Sequence, residues 1–156
     1  MRKQLYFVRI MSDNNIIQLP NEALIAQAEE FLGEGLDVVL LANGRSMSPF
    51  IRHGKDLLVL RRCPVVNVED VVLARTASGK YVVHRVIDIT EDAVTLKGDG
   101  NLYAVECCTL KDVVGTLVEI RKPDGRIVSP DRGRKWHKMP LLIRRAVLAI
   151  CKRLEK

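Results

Sequence analysis

Val38-Val39-Leu40-Leu41-Ala42-Asn43-Gly44-Arg45-Ser46-Met47-Ser48-Pro49 is the stretch around which the rest of the chain is arranged. Five apolar residues run into the turn-prone pair Asn43-Gly44, so a strand ends there and delivers Ser46 at its mouth. Pro49 has no N–H and stops ladder pairing just beyond. A serine in a turn is commonplace, and alone this segment says only that a strand turns. Its meaning comes from three later segments: Val71-Val72-Leu73-Ala74-Arg75, Tyr81-Val82-Val83-His84-Arg85-Val86 and Lys97-Gly98-Asp99-Gly100-Asn101.

Outward from that stretch, strand signals dominate. Residues 38–42, 57–60, 71–75, 81–89, 93–97 and 113–120 are rich in β-branched side chains and separated by polar turns. Ala77-Ser78-Gly79-Lys80 and Thr90-Glu91-Asp92 read as hairpin turns. Alternation then places Tyr81, Val83 and Arg85 on one face of their strand and Val82, His84 and Val86 on the other. His84 shares its face with valines, which suits a core histidine bonded to a backbone carbonyl as well as a reactive base.

Before this region, Leu5-Tyr6-Phe7-Val8-Arg9-Ile10 alternates like a short strand, and Ser12-Asp13-Asn14-Asn15 reads as a turn. Residues 22–32 form a helix, with Asn21 as N-cap and Gly33 as stop; Leu24, Ala28, Phe31 and Leu32 fall on one packing face. After the β-rich region, Lys122-Pro123-Asp124-Gly125-Arg126 reads as a hairpin tip. Residues 130–138 read as a basic connector holding Gly133 and the single tryptophan, Trp136. Residues 139–156 form an amphipathic helix with Pro140 at its first position, and Met139, Leu142/Ile143, Ala146/Val147, Ile150 and Leu154 recur along it. The expected fold is mainly β, α+β in class, with an N-terminal helix and a C-terminal amphipathic helix. The expected division is residues 1–130 as one domain and 131–156 as connector and helix.

The chain of 156 residues is long enough for one domain with a real core. Its net charge of +6 is uneven, because the cationic surplus lies in residues 121–156 and the remainder is slightly acidic. Cys63, Cys107, Cys108 and Cys151 form no Cys-x-x-Cys pair, so free thiols in a reducing compartment are expected, with no metal and no cofactor. No signal-peptide pattern opens the chain and no apolar run reaches membrane-spanning length, which places the expected location in the cytoplasm.

Ser46-Met47, with Pro49 two residues past the methionine, resembles the nucleophile box of the serine peptidases that include signal peptidases and self-cleaving repressors. Val82-Val83-His84-Arg85-Val86 resembles their general-base box, in the form where histidine replaces the more common lysine. Lys97-Gly98-Asp99-Gly100-Asn101 resembles the third box, and Val113-Val114-Gly115 the closing strand. The resemblance covers roughly residues 38–118 and implies a signal-peptidase-like complex of coiled β-sheets. It implies a serine endopeptidase with Ser46 as nucleophile, His84 as general base, and Asp99 as third member with Glu106 behind it. Members using histidine carry a carboxylate about six or seven residues after the box glycine. Here Ala104 and Val105 occupy those places, and Glu106 is one step further.

By the same resemblance the Ser46 amide is an oxyanion donor, while Gly44 stands where some members add a hydroxyl. Met47, Ile51 and Val83 would line a shallow pocket for a small side chain. A peptide would add as a strand beside Tyr81, Val82 and Val83. The chemistry is coherent: a serine hydroxyl needs a base to take its proton, and imidazole titrates near neutral pH.

Four readings compete: a signal-peptidase-like endopeptidase acting on a peptide or protein substrate, a non-catalytic peptide-binding member of the same fold, a self-cleaving regulator, and a nucleic-acid binder. The regulator needs a DNA-binding part and an internal Ala-Gly or Cys-Gly bond, and the sequence contains neither dipeptide. Nucleic acid is not expected as a partner, because no aromatics interleave the basic residues. The C-terminal helix suits two places, packed by its apolar stripe on the β-domain or lying peripherally on an anionic membrane with Arg144, Arg145, Lys152 and Arg153 near the headgroups. Oligomeric state is not legible.

Overall fold

The β-branched runs become one continuous antiparallel sheet. The computed structural model describes residues 8–10 and 21–155. In chain order these form β1 (Val8–Ile10), α1 (Asn21–Gly33), β2 (Val38–Leu41), β3 (Leu57–Arg61), β4 (Val71–Arg75), β5 (Tyr81–Thr90), β6 (Ala93–Lys97), β7 (Glu106–Thr109), β8 (Val113–Arg121), β9 (Ile127–Val128) and α2 (Leu141–Leu154). The sheet runs β1-β2-β3-β8-β4-β5-β6-β7, with β9 added to β8. Register shifts at Val59/Leu60, Leu73/Ala74 and Val86/Asp88 mark the bulges where the strands bend and the sheet coils. The fold is the mainly β architecture with N- and C-terminal helices that the sequence implies.

Because β4 and β5 are covered on both faces, their residues divide between two cores. Val71, Leu73 and Val83 join Leu24, Ile25, Ala28 and Leu32 of α1, with side chains from β2, β3 and β8. Val72, Ala74 and Val86 join Val94, Leu96 and Cys108 on the other side. Alternation read from the sequence thus holds through β5. Helix α1 comes close to the sheet where β8 carries Gly115, whose missing Cβ would lie 3.0 Å from Leu32 Cδ1.

Two strands, β7 and β9, were not legible as strands. The segment 130–138, read as a loop-like connector, contains two short 3₁₀ turns, Pro130–Gly133 and Trp136–Lys138. Trp136 is buried and meets Phe50 edge-on at 5.4 Å between ring centroids. Helix α2 starts at Leu141, with Pro140 as the N-cap rather than the first helical residue. The expected turn at Ser12-Asp13-Asn14-Asn15 lies outside the described residues.

The adjacent cysteines of β7 point to opposite environments. Cys108 is buried against the second core, and burial, then the Asp112 carboxylate, pushes its thiol up to about 11. Cys107 is exposed. Iodoacetamide at neutral pH should therefore alkylate Cys107 in the folded protein and Cys108 only after denaturation. Mass mapping that finds both labelled at equal rates would contradict this placement.

Candidate active site

Ser46 leaves the end of β2 on a loop whose shape depends on Gly44. That residue has φ of 97°, a conformation side chains with a Cβ rarely adopt, and its N–H donates to His53 Nδ1 at 2.8 Å. The Ser48–Pro49 peptide bond is cis. Ser46 is half-buried and, among the described residues, its N–H has no acceptor.

His84 sits on β5 opposite Val72 of β4, 4% exposed. Its Nδ1 lies 2.9 Å from Glu106 Oε2. The register explains this pairing. Val86 faces Leu96, and Leu96 faces Glu106, so Glu106 lies in the same cross-strand row as Val86, on the face that His84 shares. No hydrogen bond joins Ser46 Oγ to His84 Nε2 in this structure. Both residues nevertheless line one pocket and abut the same glycine: a Cβ on Gly98 would overlap the Ser46 carbonyl oxygen and lie 3.2 Å from His84 Nε2. Two turns of backbone thus lock together, and Gly100 N–H also donates to Ser46 O at 2.8 Å.

Asp99, expected to orient His84, is engaged elsewhere. Arg85 Nε and Nη2 donate to its two carboxylate oxygens at 2.9 and 2.8 Å, and His137 Nε2 lies 3.0 Å from Oδ1. Arg85 alternates with His84 along β5 and so projects to the other face, where Asp99 follows its cross-strand partner Lys97. The expectation that put Asp99 before Glu106 is therefore corrected in the geometry: the carboxylate on the imidazole is Glu106. The backbone of Asp99 closes the same cluster, with its N–H 3.5 Å from Met47 Sδ and its carbonyl accepting from Trp136 Nε1 at 2.7 Å. Arg85 Nη1 donates to the Glu69 carbonyl at 2.9 Å. Lys97, beside Gly98, is held below the usual lysine range by burial and then by the nearby Arg144 cation.

Met47, Ile51, Val82 and Val83 line the pocket at Ser46 and His84, together with Ala42, Asn43, Gly44 and Leu58. Its volume is about 40 Å³, room for a small side chain. Tyr81 does not line it; the ring packs against the main core, where burial raises its phenol. A larger cavity of about 420 Å³ lies between residues 62–66 and β8, away from Ser46 and His84. Sequence reasoning missed Arg85 and His137. An arginine in the middle of a buried strand was the available signal, since such a charge requires a partner.

A family model described as Peptidase S24-like matches residues 6–118. The chain belongs to this family. Its β-rich fold is that of a serine-peptidase-like family spanning repressor and signal-peptidase relatives, and its general character is that of a peptidase-type hydrolase. No curated protein and no solved structure matches the chain.

Two measurements check the S24-like architecture of the site. Asp99→Ala leaves a buried guanidinium unpaired and should lower unfolding stability by about 3–5 kcal/mol in urea titration; a loss under about 1 kcal/mol would show the pair to be solvated. Gly98→Ala should disturb the Ser46 loop, because the nearest atom the added methyl meets is the Ser46 backbone carbonyl oxygen, ahead of the Asn101 side chain. Backbone amide shifts at residues 44–48 and 98–101 should change while those of α1 do not, and unchanged shifts at both turns would refute the close seat.

Proposed function

We propose that this S24-like protein is a serine endopeptidase in which Ser46 is the nucleophile, His84 the general base and Glu106 the group that orients the base. The observation that carries this reading is the 2.9 Å contact from His84 Nδ1 to Glu106 Oε2, with Nε2 left toward the pocket that Ser46 lines. A carboxylate on Nδ1 fixes the tautomer whose Nε2 is the acceptor, which is the form that takes a proton from a serine hydroxyl. Ser46 Oγ would attack the scissile carbonyl as His84 Nε2 takes its proton. His84 would then return that proton to the leaving amine, and water would release the acyl group by the same route. The unengaged Ser46 N–H is available to the developing oxyanion.

The substrate side is supported by the sheet edge. β5 pairs with β4 along residues 81–85, but with β6 only from Arg85 onward. Among the described residues, 81–84 have no strand on their second side. An extended peptide added there would run past Val82 and Val83 and place a small side chain in the pocket. The second reading, a peptide-binding member without catalysis, is favoured by the absent Ser46–His84 hydrogen bond, although such bonds are often long before substrate arrives.

A fluorogenic peptide with alanine before the scissile bond separates the two. Ser46→Ala and His84→Ala should each abolish turnover, and Glu106→Ala should lower kcat by about a hundredfold or more, with unfolding midpoints near the parent's. Undiminished cleavage by Ser46→Ala would sink the proposed nucleophile. Tight peptide binding with no turnover in the parent chain would favour the binding module.

A further inference from the structure

Helix α2 turns only part of its surface to the protein. Leu141, Val147, Leu148 and Cys151 are partly covered and Arg144 is buried, its Nε donating to the Met139 carbonyl at 3.2 Å. On the outward side, Leu142 is 77% exposed, Ile150 57% and Leu154 81%, with Met139, Ile143 and Ala146 open beside them. The helical positions among them, Leu142, Ile143, Ala146, Ile150 and Leu154, recur at three- and four-residue steps, so they form one stripe along the helix. Arg145 and Lys152, spaced by seven along α2, are exposed cations at its edge; Arg153 adds a third near the end, and Lys138 is exposed in the turn before the helix.

Residues 132–154 contain eight Lys and Arg and no Asp or Glu. A surface that is both apolar and uniformly cationic needs a partner that offers hydrocarbon and negative charge together. A second copy of the chain offers the hydrocarbon but brings the same cations against these. Nucleic acid offers the charge, but α2 has no aromatic side chain on which bases could stack. At 14 residues α2 is about 21 Å long, and no helix among the described residues is long and apolar enough to cross a membrane.

We propose that α2 lies on an anionic lipid surface, with its outward stripe in the headgroup boundary and Arg145, Lys152 and Arg153 at the phosphates. Arg144 is not among the lipid-facing cations; it belongs to the anchor. Its Nη1 lies 3.5 Å from His137 Nδ1, and His137 reaches Asp99 behind the Ser46 loop. At the other end, Glu155 Oε2 lies 3.4 Å from Arg45 Nε, next to Ser46. The docked face is thus fixed relative to the pocket, which would work on extended peptide segments held near the bilayer surface. Binding to lipid does not depend on whether Ser46 is catalytic.

Sedimentation of the full chain with vesicles of phosphatidylcholine and phosphatidylglycerol in equal parts tests this. The chain should pellet with these vesicles and at least about tenfold less with phosphatidylcholine alone, or in about 1 M salt, where the screening length falls to roughly 3 Å. The double variant Leu142→Asp, Ile150→Asp changes only exposed positions and should lose binding while keeping the parent's near-ultraviolet circular dichroism. Lys152→Glu with Arg153→Glu should lose it too, which guards against a folding defect in either variant. No binding to the anionic vesicles, or equal binding by parent and both variants, overturns the proposal. So does a solution dimer dispersed by the aspartate pair without any vesicle binding, which assigns the stripe to a second copy.

Discussion

Arg85 and Asp99 meet bidentately in the interior, at 1% and 0% exposure, and the turn beside the Ser46 loop is built on that meeting. A buried charge is tolerated only when paired and hydrogen-bonded, so the surrounding chain must bring oxygen and nitrogen partners to it. Glu69 and Pro130 supply carbonyls to the guanidinium, and His137 attends the carboxylate. Gly133 has no side chain because Arg85 occupies the space one would need. The turn that carries Asp99 therefore has one position, and that position presses Gly98 and Gly100 onto the Ser46 loop. The seat of the Ser46 loop thus follows from an ion pair that itself touches neither Ser46 nor His84, while Glu106 holds the imidazole.

The strands around the site were legible because their residues alternate and their turns carry Gly, Asn and Asp. The face assignment along β5 followed from the same alternation, and the two cores respect it. What was not legible is register. Asp99 lies within the third box, yet Glu106 reaches His84, because residues 101–105 form the loop before β7 and Glu106 opens that strand opposite Leu96. β7 itself, Glu-Cys-Cys-Thr, carries little strand propensity; its pairing with β6 and the burial of Cys108 make it a strand. Trp136 looked like part of a basic connector because charge dominated the local composition. Its indole N–H needed a buried acceptor, and the Asp99 carbonyl provides one.

Helix α2 shows a different limit. Its amphipathic period was plain, but a period does not say which way the apolar side turns. The inward face combines the partly covered Leu141, Val147 and Leu148 with polar contacts, Arg144 buried and Glu155 paired to Arg45, while Leu142, Ile143, Ile150 and Leu154 look outward. Helical propensity fixed the rod, and the Asp99–His137–Arg144 contacts fixed its roll.

Strand β8 lies between β3 and β4, although 51 residues separate it from β3 and 37 from β4 in sequence. The sheet cannot close until that late segment has been made and inserted, and contacts of such long separation form slowly. During synthesis, therefore, the chain carries Ser46 and His84 well before it has a continuous sheet to position them. The arrangement of the candidate site around Ser46 and His84 is thus a property of the completed fold and of no shorter nascent chain.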